Sequence, residues 1–205
     1  MATGSDLIDM VGHLAIGKVP TTTTRPTIAQ IIIWLNQGQN ELAKMLPENL
    51  IYPLVRTYTP STAAAAVKTA LPTSPNVLRP IAAYDNTNNK PLKFITHAQR
   101  AEILAGYDTY FSTSSYVYTL GNDGTNDVYY YYPSTNPINK TFIHVVEPTD
   151  IADNTTTEWD LPDVLEGLVV DYGVIKHKMQ DEETEQQLAL LKSWYDKVSI
   201  FAQGK

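Results

Sequence analysis

The sequence predicts an α+β fold: a small helical bundle drawn from N-terminal and C-terminal helices, with a large antiparallel β insertion between them. Three observations predict it. Segments 27–46 and 161–201 repeat apolar residues at helical spacing. From Ile51 to Pro148 that period gives way to short runs rich in Tyr, Val, Thr and Ile, separated by Asn, Asp, Gly and Pro. The length, 205 residues, suits one domain carrying a large insertion and is enough to bury about 70% of the unfolded surface. The expected divisions are an N-terminal arm and helix over 1–50, a β-rich insertion over 51–155 with one helix near 96–106, and a helical pair over 156–205.

In chain order, Ser5 is placed to cap a short helix over Asp6–Ala15 with Leu7, Met10, Val11 and Leu14 on one face, stopped by Gly17 and Pro20. Thr21–Thr24 reads as a linker. Pro26 and Thr27 open the first strong helix, whose stripe is Ile28, Ile31, Ile32, Leu35, Leu42 and Met45, and Pro47 ends it. Gly38 inside it weakens the helix by about 1 kcal/mol relative to Ala, which points to a close packing contact or a tolerated cost. Seven short strands follow, at Ile51–Thr59, Ala66–Leu71, Leu78–Tyr84, Leu92–Ile95, Tyr116–Leu120, Val128–Tyr132 and Thr141–Val146. Gly121–Asp127 is a hairpin loop between two of them. Thr96 with Gln99 predicts a capping box for a helix that Gly106 closes.

After the loop 149–159, Pro162 sits near the first turn of a helix carrying Val164, Leu165, Leu168, Val169, Tyr172, Ile175 and Met179. Asp181, Glu182, Glu183 and Glu185 then mark the start of the last helix, where the macrodipole favours negative charge. Its stripe is Leu188, Leu191, Trp194, Tyr195, Val198 and Phe201.

Charge and composition narrow the function classes. There are 22 acidic and 15 basic residues, a net charge of −7, and no basic block, which is a poor match to the phosphate neutralisation that drives nucleic-acid affinity. With no cysteine, thiolate zinc sites, thiol catalysis and disulfides are excluded. Residues 1–17 lack the basic start and continuous apolar core of a secretory signal, and no apolar run is long enough for a membrane span.

Catalytic signals are thin. His13, His97, His144 and His177 are scattered, with no HxxxH or HExxH pair, so no metal is expected. Asp150, Asp153, Glu158 and Asp160 could supply a glycosidase carboxylate pair, but carboxylates in a Thr- and Asn-rich loop are more often turn and cap residues. Asn122–Asp127 shares only composition with a calcium loop, since the acidic register ahead of Gly124 is wrong. The tripeptides 139–141 and 154–156 fit the glycosylation pattern without a secretory signal beside them. Neither a phosphate loop nor GxGxxG nor GxSxG occurs, so neither cofactor nor enzymatic activity is expected.

Thirteen tyrosines are the remaining signal. In 128–132, VYYYY, Tyr130 and Tyr132 share one face of the strand, and Tyr129 and Tyr131 the other. Aromatics on both faces imply burial on both, against the chain's own core or under another subunit; a sugar-stacking platform is a third reading. The candidate interface residues are Tyr130, Tyr132, Trp194, Tyr195 and Phe201.

The order of these parts, a Thr-capped helix, a Tyr-rich β segment containing YYYYPSTNPINKTFIHVVEP, then DLPDVLEGLVVDYGVIKHKMQDEE and a final helix, resembles the head-to-tail adaptor, or connector, proteins of tailed bacteriophages. The likeness runs from Pro26 to Phe201. It implies a structural virion protein that forms a homo-oligomeric ring, usually of twelve copies, beneath the portal protein at one capsid vertex. Its partners would be the portal and tail proteins (nozzle, stopper or tube), with genomic DNA passing through the channel without specific binding, and assembly would occur in the host cytoplasm. The resemblance brings no catalytic residues. The alternative is a carbohydrate- or receptor-binding β module of a virion tail or capsid.

Overall fold

A computed structural model describes residues 2–60, 68–108, 110–133, 139–153, 155 and 159–204. The chain forms two compact units, one from residues 1–54 with 147–205, the other from residues 55–146.

The first unit is helical. Helix α1 (Gly4–Ile16) is capped by Thr3, not Ser5: the Thr3 hydroxyl accepts the Asp6 amide while the Asp6 carboxylate accepts the Thr3 amide. Ser5 lies inside the helix, where its hydroxyl donates to Asp153. The buried face also differs from the expected one. Leu7, Ile8 and Val11 are inside, whereas Met10 and Leu14 are exposed. Two glycines explain the rotation: a Cβ on Gly4 would sit 1.9 Å from the Ala152 carbonyl oxygen, and one on Gly12 would sit 2.4 Å from Pro20 Cδ. The helix turns its small residues toward the Ala152 and Pro20 segments and carries Met10 outward.

Helix α2 (Ile28–Met45) begins with the Thr27–Gln30 capping box and buries Ile31, Trp34, Leu35, Leu42 and Ala43; Met45 is exposed. Gly38 is a close contact, since a Cβ there would lie 3.1 Å from Tyr172 Cβ and Cγ. Helix α4 (Glu166–Lys178) follows a 3-10 turn at Asp163–Leu165 and meets both α1 and α2. Its Leu168, Val169, Val170 and Tyr172 are buried, and Val164 just before it is exposed. Helix α5 (Thr184–Ala202) starts after Glu183, with Glu185 in its first turn, and buries only Trp194 and Val198 fully. Residues 147–152 are tied to α2 by Asn36, which accepts the Ile151 amide (2.7 Å), and by Gln39, whose amide donates to the Thr149 carbonyl (2.9 Å). Helix α1 is therefore a member of this unit, packed against α2 and α4.

The second unit is a seven-stranded sheet with one helix. The strands β1 (Val55–Tyr58), β2 (Lys68–Ala70), β3 (Val77–Asp85), β4 (Lys90–Phe94), β5 (Val117–Asn122), β6 (Asp127–Tyr132) and β7 (Lys140–Val146) lie in the order β1-β7-β3-β4-β5-β6-β2. Part of the first expected strand is instead a 3-10 turn at Tyr52–Leu54, and Ala66 falls outside the described residues. All pairings are antiparallel except β4 with β5, which is parallel. Helix α3 (His97–Ala105) connects those two strands, and a parallel pair needs such a crossover because a tight hairpin cannot reverse the chain twice. Thr96 and Gln99 form its capping box and Gly106, at φ 74°, closes it. Near Pro80, which has no amide to donate, the β3–β7 register slips.

The sheet curls, so that Phe142 on β7 stacks on Tyr129 of β6, with centroids 4.2 Å apart, although three strands separate them in sheet order. Ala83, Leu92, Tyr118, Tyr129, Tyr131 and Phe142 fill the inner face. The outer face over β5 and β6 is covered by α3, with Ile95, Ile103, Val117 and Tyr132 in contact.

Candidate interaction surfaces

The tyrosine strand β6 shows how alternation positions side chains. Tyr129 and Tyr131 point into the curled sheet, and Tyr130 and Tyr132 point toward α3. The Tyr129 hydroxyl meets His144 Nδ1 at 3.1 Å in the interior. Burial, helped by the nearby Arg56 charge, lowers the His144 pKa. Burial also pushes the hydroxyls of Tyr118 and Tyr131 up to about 12, so these rings stay neutral hydrogen-bonding groups.

Where the inner face ends, Asp85 and Lys140, opposite each other on β3 and β7, form an ion pair of 3.0 Å with both side chains fully buried. Burial works to raise the Asp85 pKa, but hydrogen bonds from Lys140 and Asn88 outweigh it and hold the carboxyl below its ordinary range. Its other oxygen accepts the amides of Thr87 and Asn88, fixing the β3–β4 turn. In the β5–β6 loop, Asp123 accepts from Lys68 (2.7 Å) and from the Thr125 and Asn126 amides, which lower its pKa to about 2. Those contacts make it a turn residue.

The five candidate interface residues divide. Tyr130 is 8% exposed, with the Arg100 guanidinium 3.6 Å above its ring, and Tyr132 is 4% exposed beneath α3. Neither offers an open ring face for a sugar to stack on. Trp194 is 1% exposed; its indole N–H donates to the Leu168 carbonyl (2.8 Å), and its ring meets Tyr172 and Tyr195 edge-on. Tyr195 is half-buried, its hydroxyl donating to Glu41, and Phe201 is half-buried near the end of α5. Trp194 and Tyr195 make these contacts within the helical unit, and Tyr130 and Tyr132 make theirs within the β unit.

The residues considered for chemistry have local tasks. Asp153 accepts the Ser5 hydroxyl and Asp160 accepts the Thr149 amide, while Glu158 lies outside the described residues, as do 154 and 156. His97 borders Gly121 and His177 borders Trp34. Among the described residues, no three His, Asp or Glu side chains are grouped to hold a metal ion, and no helix is long and apolar enough to cross a membrane.

Tyr52, Tyr84 and Phe94 are exposed, and the two most exposed aromatics among the described residues lie after α3. Tyr107 and Tyr110, in the loop after α3, are 82% and 89% exposed, and Leu104 on the last turn of α3 is exposed beside them in sequence. The loop is built, since the Asp108 carboxylate accepts the amides of Tyr110 and Phe111 at 2.6 and 2.8 Å. Sequence reading passed over these rings because GYDTYF has no strand or helix period. The available signal was the presence of two large rings in a segment of turn residues.

Among the described residues, the polar clusters of the helical unit and of the curled β insertion serve caps, turns and core. The chain belongs to the SU10 adaptor protein family of bacteriophages, whose family model matches residues 2–200. No curated protein matches it. It is thus a phage structural adaptor and a virion component.

Proposed function

We propose that the protein forms a closed ring beneath the portal and joins it to the tail. The family match across residues 2–200 carries this reading. The ring would have the twelve copies usual among the connectors it resembles. The portal sits above; a tail nozzle, stopper or tube protein sits below; genomic DNA passes through without specific binding. Assembly takes place in the host cytoplasm, and the mature protein resides at the portal vertex.

The charge distribution supports the channel role. An acidic excess repeated around a ring repels the DNA phosphates, which eases sliding and disfavours sticking. Ring neighbours meet through heterologous surfaces, so each copy must carry two different faces.

Native mass spectrometry of purified portal mixed with the full chain tests the reading. The chain alone is expected to be monomeric or weakly associated, and to bind the portal as a complete set of copies. Binding at one or two copies per portal, or no binding, would overturn it.

A further inference from the structure

Among the described residues, the buried side chains that carry a charge or an imidazole all lie in one unit. Asp85 and Lys140 are 0% exposed and His144 is 1% exposed, all in the β unit, whereas the polar side chain buried in the helical unit is Gln39. Lys140, Phe142 and His144 occupy alternate positions of β7, so both basic groups stand on its inner face. A fall in pH therefore acts on the core of the sheet.

Around Asp85 the charged neighbours are Lys140 on β7, at 3.0 Å, and Lys90, opposite it on β4; Asn88 donates to it from the turn. Protonating Asp85 leaves the Lys140 ammonium buried without its carboxylate, with the Tyr131 ring 5.5 Å away. Around His144 stand the Tyr129 hydroxyl on β6 and Arg56, its partner on β1; Pro80, opposite it on β3, is uncharged. Protonating His144 buries an imidazolium near a guanidinium. Burial raises the Asp85 pKa, but hydrogen bonds from Lys140 and Asn88 outweigh it; burial and then Arg56 lower that of His144. Both folded values lie below the unfolded ones, so the unfolded unit binds more protons as pH falls. Both contributions are lost in acid, that of His144 at the higher pH.

The β unit is also built to open as one piece. Its two core clusters are made of its own residues, and Val55, where the chain enters, pairs with Val145, where it leaves. An open β unit is then a long loop whose ends already lie side by side, and the cost of closing a loop grows only slowly with its length. We propose that acid opens the β unit as a separate cooperative unit while the helical unit stays folded. The inference goes beyond the adaptor reading and does not depend on the ring.

The test uses full-length chain carrying ring-carbon-labelled tyrosine, titrated from neutral pH into acid. Tryptophan emission follows the helical unit, which holds Trp34, Trp159 and Trp194, with Tyr172 as its tyrosine marker; Tyr118, Tyr129 and Tyr131 follow the β unit by NMR. The β-unit tyrosines are expected to reach unfolded positions about one pH unit or more above the point at which tryptophan emission shifts. Coincident transitions, a helical unit that opens first, or a β unit that stays closed down to about pH 3 would each overturn the proposal. His144→Gln keeps a hydrogen-bonding side chain beside Tyr129 and should move the β-unit midpoint to lower pH; an unmoved midpoint would overturn the part assigned to His144. Lys140→Met separates the two units without acid. In urea at neutral pH it should bring the loss of the β-unit tyrosine signals to lower urea, or abolish them outright, with the tryptophan midpoint unchanged. Signals that shift together in this variant would show one cooperative unit and overturn the inference, leaving the adaptor role as it stands.

Discussion

Replacing Lys140 by Met tests the account of the β unit most sharply. Lys140 and Asp85 are both fully buried and 3.0 Å apart, and Asp85 also fixes the β3–β4 turn through Thr87 and Asn88. Methionine is of similar length and leaves little void, so the cost comes from stranding a buried carboxylate. Breaking such a pair from one side costs about 3–5 kcal/mol. With a urea slope of about 2 kcal/mol/M, the unfolding midpoint should fall by about 2 M. Near-ultraviolet circular dichroism is the appropriate signal, because 10 of the 13 tyrosines lie in this unit while Trp34, Trp159 and Trp194 all lie in the helical one.

The pH dependence supplies a second check on the same variant. In the native protein the Asp85 pKa is lowered, so its stabilising contribution is present above the ordinary carboxylate range and is lost as pH falls through the folded value. Without Lys140, burial dominates and the folded pKa rises above the unfolded one. The variant then regains stability as pH falls, since protonation removes the stranded charge. The gap between the two proteins should therefore be largest near pH 7 and narrow toward pH 4. A gap under about 1 kcal/mol at pH 7, or one that is constant with pH, would refute the reasoning.

Three further outcomes are expected. Trp194→Ala should cost about 3–5 kcal/mol, because it removes a fully buried ring and leaves the Leu168 carbonyl without its indole donor; thermal melts followed by tryptophan fluorescence at the remaining two positions would read it. Gly38→Val should destabilise by about 1–3 kcal/mol despite relieving a helix glycine, as its Cβ alone comes within 3.1 Å of Tyr172, and helical circular dichroism during urea unfolding would show it. The His144 ring should titrate below the ordinary histidine range by proton NMR, because burial disfavours its charged form; correspondingly, the β unit should lose stability as pH falls below the unfolded histidine value and through the folded one.

Much of this fold is written locally. The Thr27–Gln30 and Thr96–Gln99 boxes are complete in four residues each, and strands bounded by Asn, Gly and Pro declare both ends. The first cap shows the same rule at work: Thr3 has Asp6 three residues on, whereas Ser5 has Ile8 there, so the box spacing selects Thr3 and proximity to the helix alone does not. The buried face of α1 was misread for a tertiary reason: Gly4 and Gly12 look like weak helix formers, yet they are where other chain segments come closest. Strand direction has no residue signature of its own; the helix expected between Leu92–Ile95 and Tyr116–Leu120 was the signal that these strands could pair in parallel, as β4 and β5 do. The alternation of Tyr129 to Tyr132 was legible, but the curl that closes the inner face over Tyr129 and Phe142 was not. Tyr107 and Tyr110 were missed because exposure in an irregular loop leaves no periodic trace.

Cryo-electron microscopy of intact virions tests the central claim directly. The account predicts density for this chain as a closed ring between portal and tail at a single vertex. Density on capsid facets or on fibres, with none at the portal, would contradict it.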